Sequence, residues 1–148
     1  MEIIIRSFSA LSNKQLLEIY KLRSEVFVVE QNCVYQDIDS TDEKANHVLL
    51  MEAETLAAYA RLIPPGISYK EPSIGRVVVK KTFRGKDFGK ILMSECLKQL
   101  QQSYHNQEIV ISAQSYLLRF YSDLGFKAED AEYLEDNIPH TKMRFTKH

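Results

Sequence analysis

The chain has 148 residues, 45% of them hydrophobic, enough for a single compact domain (1–148) whose core folds without staples. Nineteen Lys and Arg against twenty Asp and Glu leave a formal net charge of −1 with no long single-sign block, which excludes a nucleic-acid-coating surface and a disordered acidic tail. Any phosphate binding must therefore be local.

Cys33 and Cys96 lie outside CxxC spacing and lack histidines at zinc-finger intervals, so both are expected as free thiols, and no metal site is expected. MEIIIRSFSAL is interrupted by Arg6 too early for a signal peptide, and no apolar run approaches the ~20 residues of a membrane span. The expected setting is reducing and cytoplasmic, without a membrane partner.

Glu2 to Phe8 reads as a first strand, its three isoleucines pointing to burial on both faces or at a sheet centre. Ser12 with Gln15 forms a capping-box pattern, and apolar residues from Leu16 to Phe27 recur behind it at helical spacing. A helix from about Lys14 to Val28 follows, with room for one break. Glu30 to Asn46 is polar, acidic and aperiodic, a loop of the length that tends to be functional. HVLLME and TLAAYARLI read as a hairpin ended by Pro64, Pro65 and Gly66, and SIGRVVVKK as a further strand.

Phe88, Leu92, Met93, Cys96, Leu97 and Leu100 make an apolar stripe at steps of three and four, the mark of a helix leaning on a sheet. EIVISA reads as a buried strand, Tyr116 to Leu124 as a short helix with Ser115 as N-cap and Gly125 as its stop, and Met143 with Phe145 as part of a last strand. The interleaving of strands and helices predicts a mixed sheet with helices on its faces, an α/β (α+β) fold.

FRGKDFGKILM joins the valine-rich strand to the striped helix. A glycine-containing turn at a helix start leaves several N–H groups without partners, and the helix dipole with Arg84, Lys86 and Lys90 adds positive charge there. At Gly85 or Gly89 a side chain would hold a ligand off the backbone. A Walker loop fails, because Gly85 and Gly89 bracket only three residues and Ile91 follows Lys90 where Ser or Thr is needed. A G-x-G-x-x-G fingerprint is also absent. A solvated helix start remains the plain alternative.

Arg84, Gly85, Lys86, Asp87, Phe88 and Gly89 closely resemble the acyl-CoA loop of the GNAT N-acetyltransferase superfamily: Gln or Arg, x, x, Gly, x, Gly or Ala. Asp87 stands where the family usually has its first glycine, so either it points to solvent or CoA affinity is reduced. FYSDLGF resembles the family's helix end, with Tyr121 four residues before a Gly-Phe pair, and FVVEQNCVYQDID with YLEDNIPHTKM resembles the ElaA-like branch. The resemblance thus covers nearly the whole chain. It implies a GNAT-like acyl-CoA N-acyltransferase fold, a twisted mixed sheet whose fourth and fifth strands splay around the pantetheine arm. It further implies acetyl-CoA as cosubstrate, with the main chain of Val77, Val78 and Val79 pairing with pantetheine, and Arg84, Gly85, Lys86, Asp87, Phe88, Gly89 and Lys90 holding the diphosphate. An ordinary buried strand would account for the valines equally well.

Acyl transfer from a thioester to an amine needs a neutral amine, a polarised carbonyl, close approach and a proton for the departing thiolate. A tyrosine hydroxyl near pKa ~10 suits a thiolate near ~8.5, which makes Tyr121 the candidate proton donor. Its spacing with Leu117 and Leu124 also fits a core tyrosine with its hydroxyl at the rim. Glu30, His47 and Glu52 are candidate bases, and ordered water is the alternative.

DIDSTDEKA begins like a calcium loop but has Asp42 where glycine is needed and Val48 where glutamate is needed. Asp37, Asp39, Asp42 and Glu43 could attract a cationic amine, although solvated surface carboxylates are the favoured reading. Tyr35, Asp37, Asp39 and His140 are places to look for acceptor contacts. No charge pattern activates Cys33, and Cys96 belongs to the helix stripe.

The expected function is transfer of acetyl to a primary amine of a small molecule or peptide, with a non-catalytic acyl-CoA sensor as the alternative. A nucleotide- or RNA-binding domain fits less well, since a basic stripe with exposed aromatics is missing. A homodimer through terminal strands is possible.

Overall fold

The computed structural model describes residues 1–105 and 107–146. In chain order, the elements are β1 (Glu2–Ser7), α1 (Asn13–Arg23), π-helical turns over Ser24–Glu30, α2 (Thr41–Lys44), β2 (Asn46–Glu52), β3 (Thr55–Ile63) and β4 (Ser73–Val79). They are followed by α3 (Phe88–Ser103), β5 (Ile109–Gln114), α4 (Leu118–Asp123), β6 (Phe126–Ala128), β7 (Tyr133–Glu135) and β8 (Ile138–Phe145). One sheet has the order β1-β2-β3-β4; the other has β5-β8-β6, with β7 also paired to β8. Every ladder among the described residues is antiparallel.

Period-2 alternation builds the core on both faces of the first sheet. Val48 and Leu50 of β2, with Ala58 and Ala60 of β3, face Leu92, Met93 and Cys96 of α3; Leu49 and Tyr59 face Ile19, Leu22 and Phe27 instead. The isoleucines of β1 divide the same way, Ile3 and Ile5 to one cluster and Ile4 to the other. This strand therefore serves both faces from a sheet edge and not from the centre.

The capping box forms: the Gln15 N–H donates to Ser12 Oγ at 3.0 Å, and the Ser12 N–H to Gln15 Oε1 at 2.9 Å. The expected break comes at Arg23, where the helix widens until the Gln31 N–H reaches the Val26 carbonyl, 3.1 Å away. Ser115 is not a cap. It opens a 3-10 turn and hydrogen-bonds Thr141 Oγ1 at 2.9 Å, so the N-cap position of α4 falls to Leu117. Gly125 does end that segment, at φ +108, where an added Cβ would lie 2.9 Å from the Phe145 ring.

Two features of β4 prepare the site. Ala60 faces both Arg76 and Val77, because the register moves by one residue between the pairs Tyr59↔Val78 and Arg61↔Gly75. Arg76 takes up the extra residue at φ +51, an uncommon conformation for a side chain of its size. Towards β5, the Val110 N–H donates to the Pro72 carbonyl at 3.1 Å, just before β4 begins.

Candidate active site

Beyond that bond the facing strands share a cavity. Val77, Val78 and Val79 of β4, with Ile111, Ser112 and Gln114 of β5, line a space of about 870 Å³. Ile111 and Ser112 are neighbours and so point to opposite faces of their sheet, yet both line it. The cavity therefore passes through the split between the sheets. Gly89, Met93, Phe120 and Tyr121 line it on the helical side, and Tyr35, Tyr69, Glu135 and His140 contribute elsewhere.

The FRGKDFGKILM turn stands at the N-terminus of α3. Among the described residues, the backbone N–H groups from Gly85 to Lys90 enter no intramolecular hydrogen bond. Asp87 is exposed at φ +62, the left-handed conformation that a glycine at its place would adopt without strain, and an aspartate tolerates it better than most residues. The Asp87 and Lys90 side chains border a separate depression with Ile3 and Glu95, so Lys90 does not line the cavity. Lys86 is exposed and lies over the Phe83 ring at 5.6 Å, Phe88 is buried and stacked on Phe83, and only Arg84 and Gly89 of the seven line the cavity. An added Cβ at Gly89 would meet Phe120 at 3.4 Å and Val79 at 3.6 Å, a backbone brought close to both walls.

Tyr121 is a core tyrosine that also reaches the cavity. Its ring is buried edge-on against Phe120 and Phe126, and it lines the cavity. The hydroxyl takes part in no hydrogen bond among the described residues, and burial pushes its pKa upward, so it keeps its proton.

The candidate bases fare differently. Glu30 lines the cavity but accepts two hydrogen bonds from Arg84, at 2.6 and 3.1 Å, which hold its carboxyl below the usual range. His47 is fully buried and outside the cavity: its Nε2–H donates to the Asp42 carbonyl at 2.9 Å and its Nδ1 accepts from the Tyr59 hydroxyl at 2.6 Å. Burial lowers its pKa. Glu52 lies 3.8 Å from the chain's amino terminus and does not border the cavity.

The acidic loop is not a solvated surface. Arg23, 0% exposed, donates to Asp37 Oδ2 at 2.9 Å, to the Asp37 carbonyl at 2.9 Å and to Asp42 Oδ1 at 2.8 Å. Arg61 donates to Asp39 at 2.7 Å and Asp42 at 3.0 Å, and Arg76 Nε lies 2.8 Å from Asp37 Oδ1. Desolvation alone would raise the Asp39 and Asp42 carboxyls, but the guanidinium bonds more than offset it and both are lowered. Asp37 is thus a buried partner of arginines and does not line the cavity, whereas Tyr35, Asp39 and His140 do. Glu43 is exposed.

Arg23, Arg61 and Arg76 escape a reading based on periodicity. Two signals point towards them: a charged residue inside TLAAYARLI, and a glycine inside SIGRVVV, which marks a bulge. Glu135 also escapes, since nothing in YLEDN separates it from an ordinary turn carboxylate.

Residues 9–147 match the family model described as an acetyltransferase (GNAT) domain. The chain belongs to the GNAT family. It is 41% identical over 146 residues to a UPF0039 protein of Schizosaccharomyces pombe, covering 97% of this chain and 96% of that one. The crystal structure of Escherichia coli ElaA superposes with a TM-score of 0.91 at 37% identity, over 97% of this chain and 98% of that one. An acyl-CoA N-acyltransferase from Pseudomonas aeruginosa gives 0.91 at 35% identity, over 99% and 100%. These likenesses put this GNAT protein in the ElaA-like branch, with an acyltransferase fold. Among the described residues, no helix is long and apolar enough to cross a membrane.

Proposed function

We propose that residues 1–148 form one N-acetyltransferase domain that moves the acetyl group of acetyl-CoA directly to a primary amine of a small molecule or peptide. The observation that carries this reading is the row of unbonded N–H groups from Gly85 to Lys90, placed at a helix N-terminus whose Arg84 and Gly89 line the cavity. Such a row suits the diphosphate of coenzyme A. The relative named as an acyl-CoA N-acyltransferase supports an acyl-CoA as the cosubstrate. The pantetheine arm runs along Val77, Val78 and Val79 on the β5 side, and Arg84 exchanges its carboxylate partner for phosphate.

Tyr121 gives its proton to the departing thiolate; its retained hydroxyl hydrogen and place in the cavity support that role. The reaction belongs to a reducing cytoplasm, in keeping with two buried free cysteines. Calorimetry with acetyl-CoA, free CoA and ATP tests the ligand. Binding of ATP alone would end the reading. A thiol-release assay against polyamines, amino acids, aminoglycosides and peptide N-termini tests turnover, and CoA binding without release from any of them would mark a sensor instead.

A further inference from the structure

A second polar cluster lies on the β7 and β8 wall of the cavity. His140 sits in β8 directly opposite Gln114 of β5 and Tyr133 of β7, so the three share a face. Its Nδ1 is 2.7 Å from the Ile138 carbonyl, which can only accept, so Nδ1 carries a hydrogen in either charge state. In the neutral ring Nε2 therefore carries the free lone pair. It lies 3.4 Å from Glu135 Oε2, and the two side chains are 7% and 46% exposed: a buried nitrogen behind an accessible carboxylate. The ring stacks on Tyr133 with centroids 6.2 Å apart, and Ser112 donates to Glu135 Oε1 at 3.2 Å.

Other charged side chains share this cavity or strand with the pair. Lys142, two places along β8, is 3.3 Å from Glu129; Arg23, Arg61 and Arg76 are balanced by Asp37, Asp39 and Asp42; Glu30 is paired with Arg84 until phosphate takes that arginine; and Asp136, next to Glu135, lines the cavity as a further carboxylate that adds to the attraction for a cation. Tyr69, pushed up to about 12 by burial, stays neutral. Among the described residues, no lysine or arginine pairs with Glu135.

Resting on the transferase reading above, we propose that Glu135 receives the acceptor as a primary ammonium and that His140 Nε2 removes its proton. The freed amine attacks the thioester carbonyl carbon and forms the C–N bond. Collapse breaks the C–S bond, and the thiolate takes a proton from Tyr121. The adduct nitrogen's surplus proton returns to Tyr121, and His140 releases its own to solvent. The acceptor class is an aliphatic primary amine that is cationic at neutral pH.

His140→Asn tests this, because its amide can still donate to the Ile138 carbonyl while Nε2 is gone. With 1,4-diaminobutane as probe, kcat/KM is expected to fall about 100-fold at pH 7 and to recover towards wild type above about pH 10, where the amine sheds its own proton. Unchanged turnover, or a loss equal at every pH, would overturn the assignment. Glu135→Gln is expected to raise the KM for the diamine about ten-fold. A readout free of turnover is the His140 ring resonance in the coenzyme A complex. The diamine should shift it in wild type and not in Glu135→Gln, and no wild-type shift overturns the proposal. Failure of wild type to bind coenzyme A would strike the transferase reading itself.

Discussion

Arg84 and Glu30, 54 residues apart, are joined by two hydrogen bonds of 2.6 and 3.1 Å at the wall of the cavity, so the cation best placed for a diphosphate is already held by a carboxylate. Both side chains remain over a third exposed, and a pair of that kind is worth up to about 1 kcal/mol. Glu30→Gln should therefore tighten acetyl-CoA binding by up to about five-fold, read by calorimetry. The gain should shrink at high salt.

Tyr121→Phe keeps the ring packed on Phe120 and Phe126 and removes only the hydroxyl. Turnover is expected to fall ten- to a hundred-fold while acetyl-CoA affinity changes less than two-fold. Equal turnover in steady-state assays would take Tyr121 out of the reaction.

The loop residues separate backbone from side-chain effects. Asp87→Gly relieves the strain of φ +62 and should stabilise the fold by up to about 1 kcal/mol in chemical denaturation. Gly89→Val places branches against Phe120 and Val79, where a Cβ alone already meets carbon at 3.4 Å, and should abolish measurable CoA binding.

Arg23→Ala leaves Asp37 and Asp42 buried without their main cation. Removing one partner of such a set costs about 3–5 kcal/mol, so the denaturation midpoint should fall sharply. Glu43→Ala, at the exposed end of the same loop, should stay within about 0.5 kcal/mol.

His47 has a folded pKa below its ordinary 6.5, so below that pH the unfolded chain binds more protons than the folded one. The stability it contributes is present above about pH 6.5 and is lost as the pH falls towards the folded value. Thermal melts should drop between pH 7 and pH 5, and His47→Gln should flatten that slope. Asp39 and Asp42, with lowered pKa values, add a second loss below their ordinary 3.8.

The sequence by itself determined the order of the longer elements, though not α2 inside the acidic loop or the short strands β6 and β7, together with the helix starts at Ser12 and Phe88, the hairpin at Ala53 and Glu54, and the unbonded turn before α3, because periodicity, caps and turn glycines act within a few residues of each other. Only the tertiary structure decided what the charges do. Arg23 meets Asp37 and Asp42 across 14 and 19 residues, and Arg61 meets Asp39 across 22. His47 leaves the cavity for the core, while His140 enters it beside Glu135. A titratable side chain takes its role from the groups that replace its water, and those come from distant segments brought together by burial of the apolar faces.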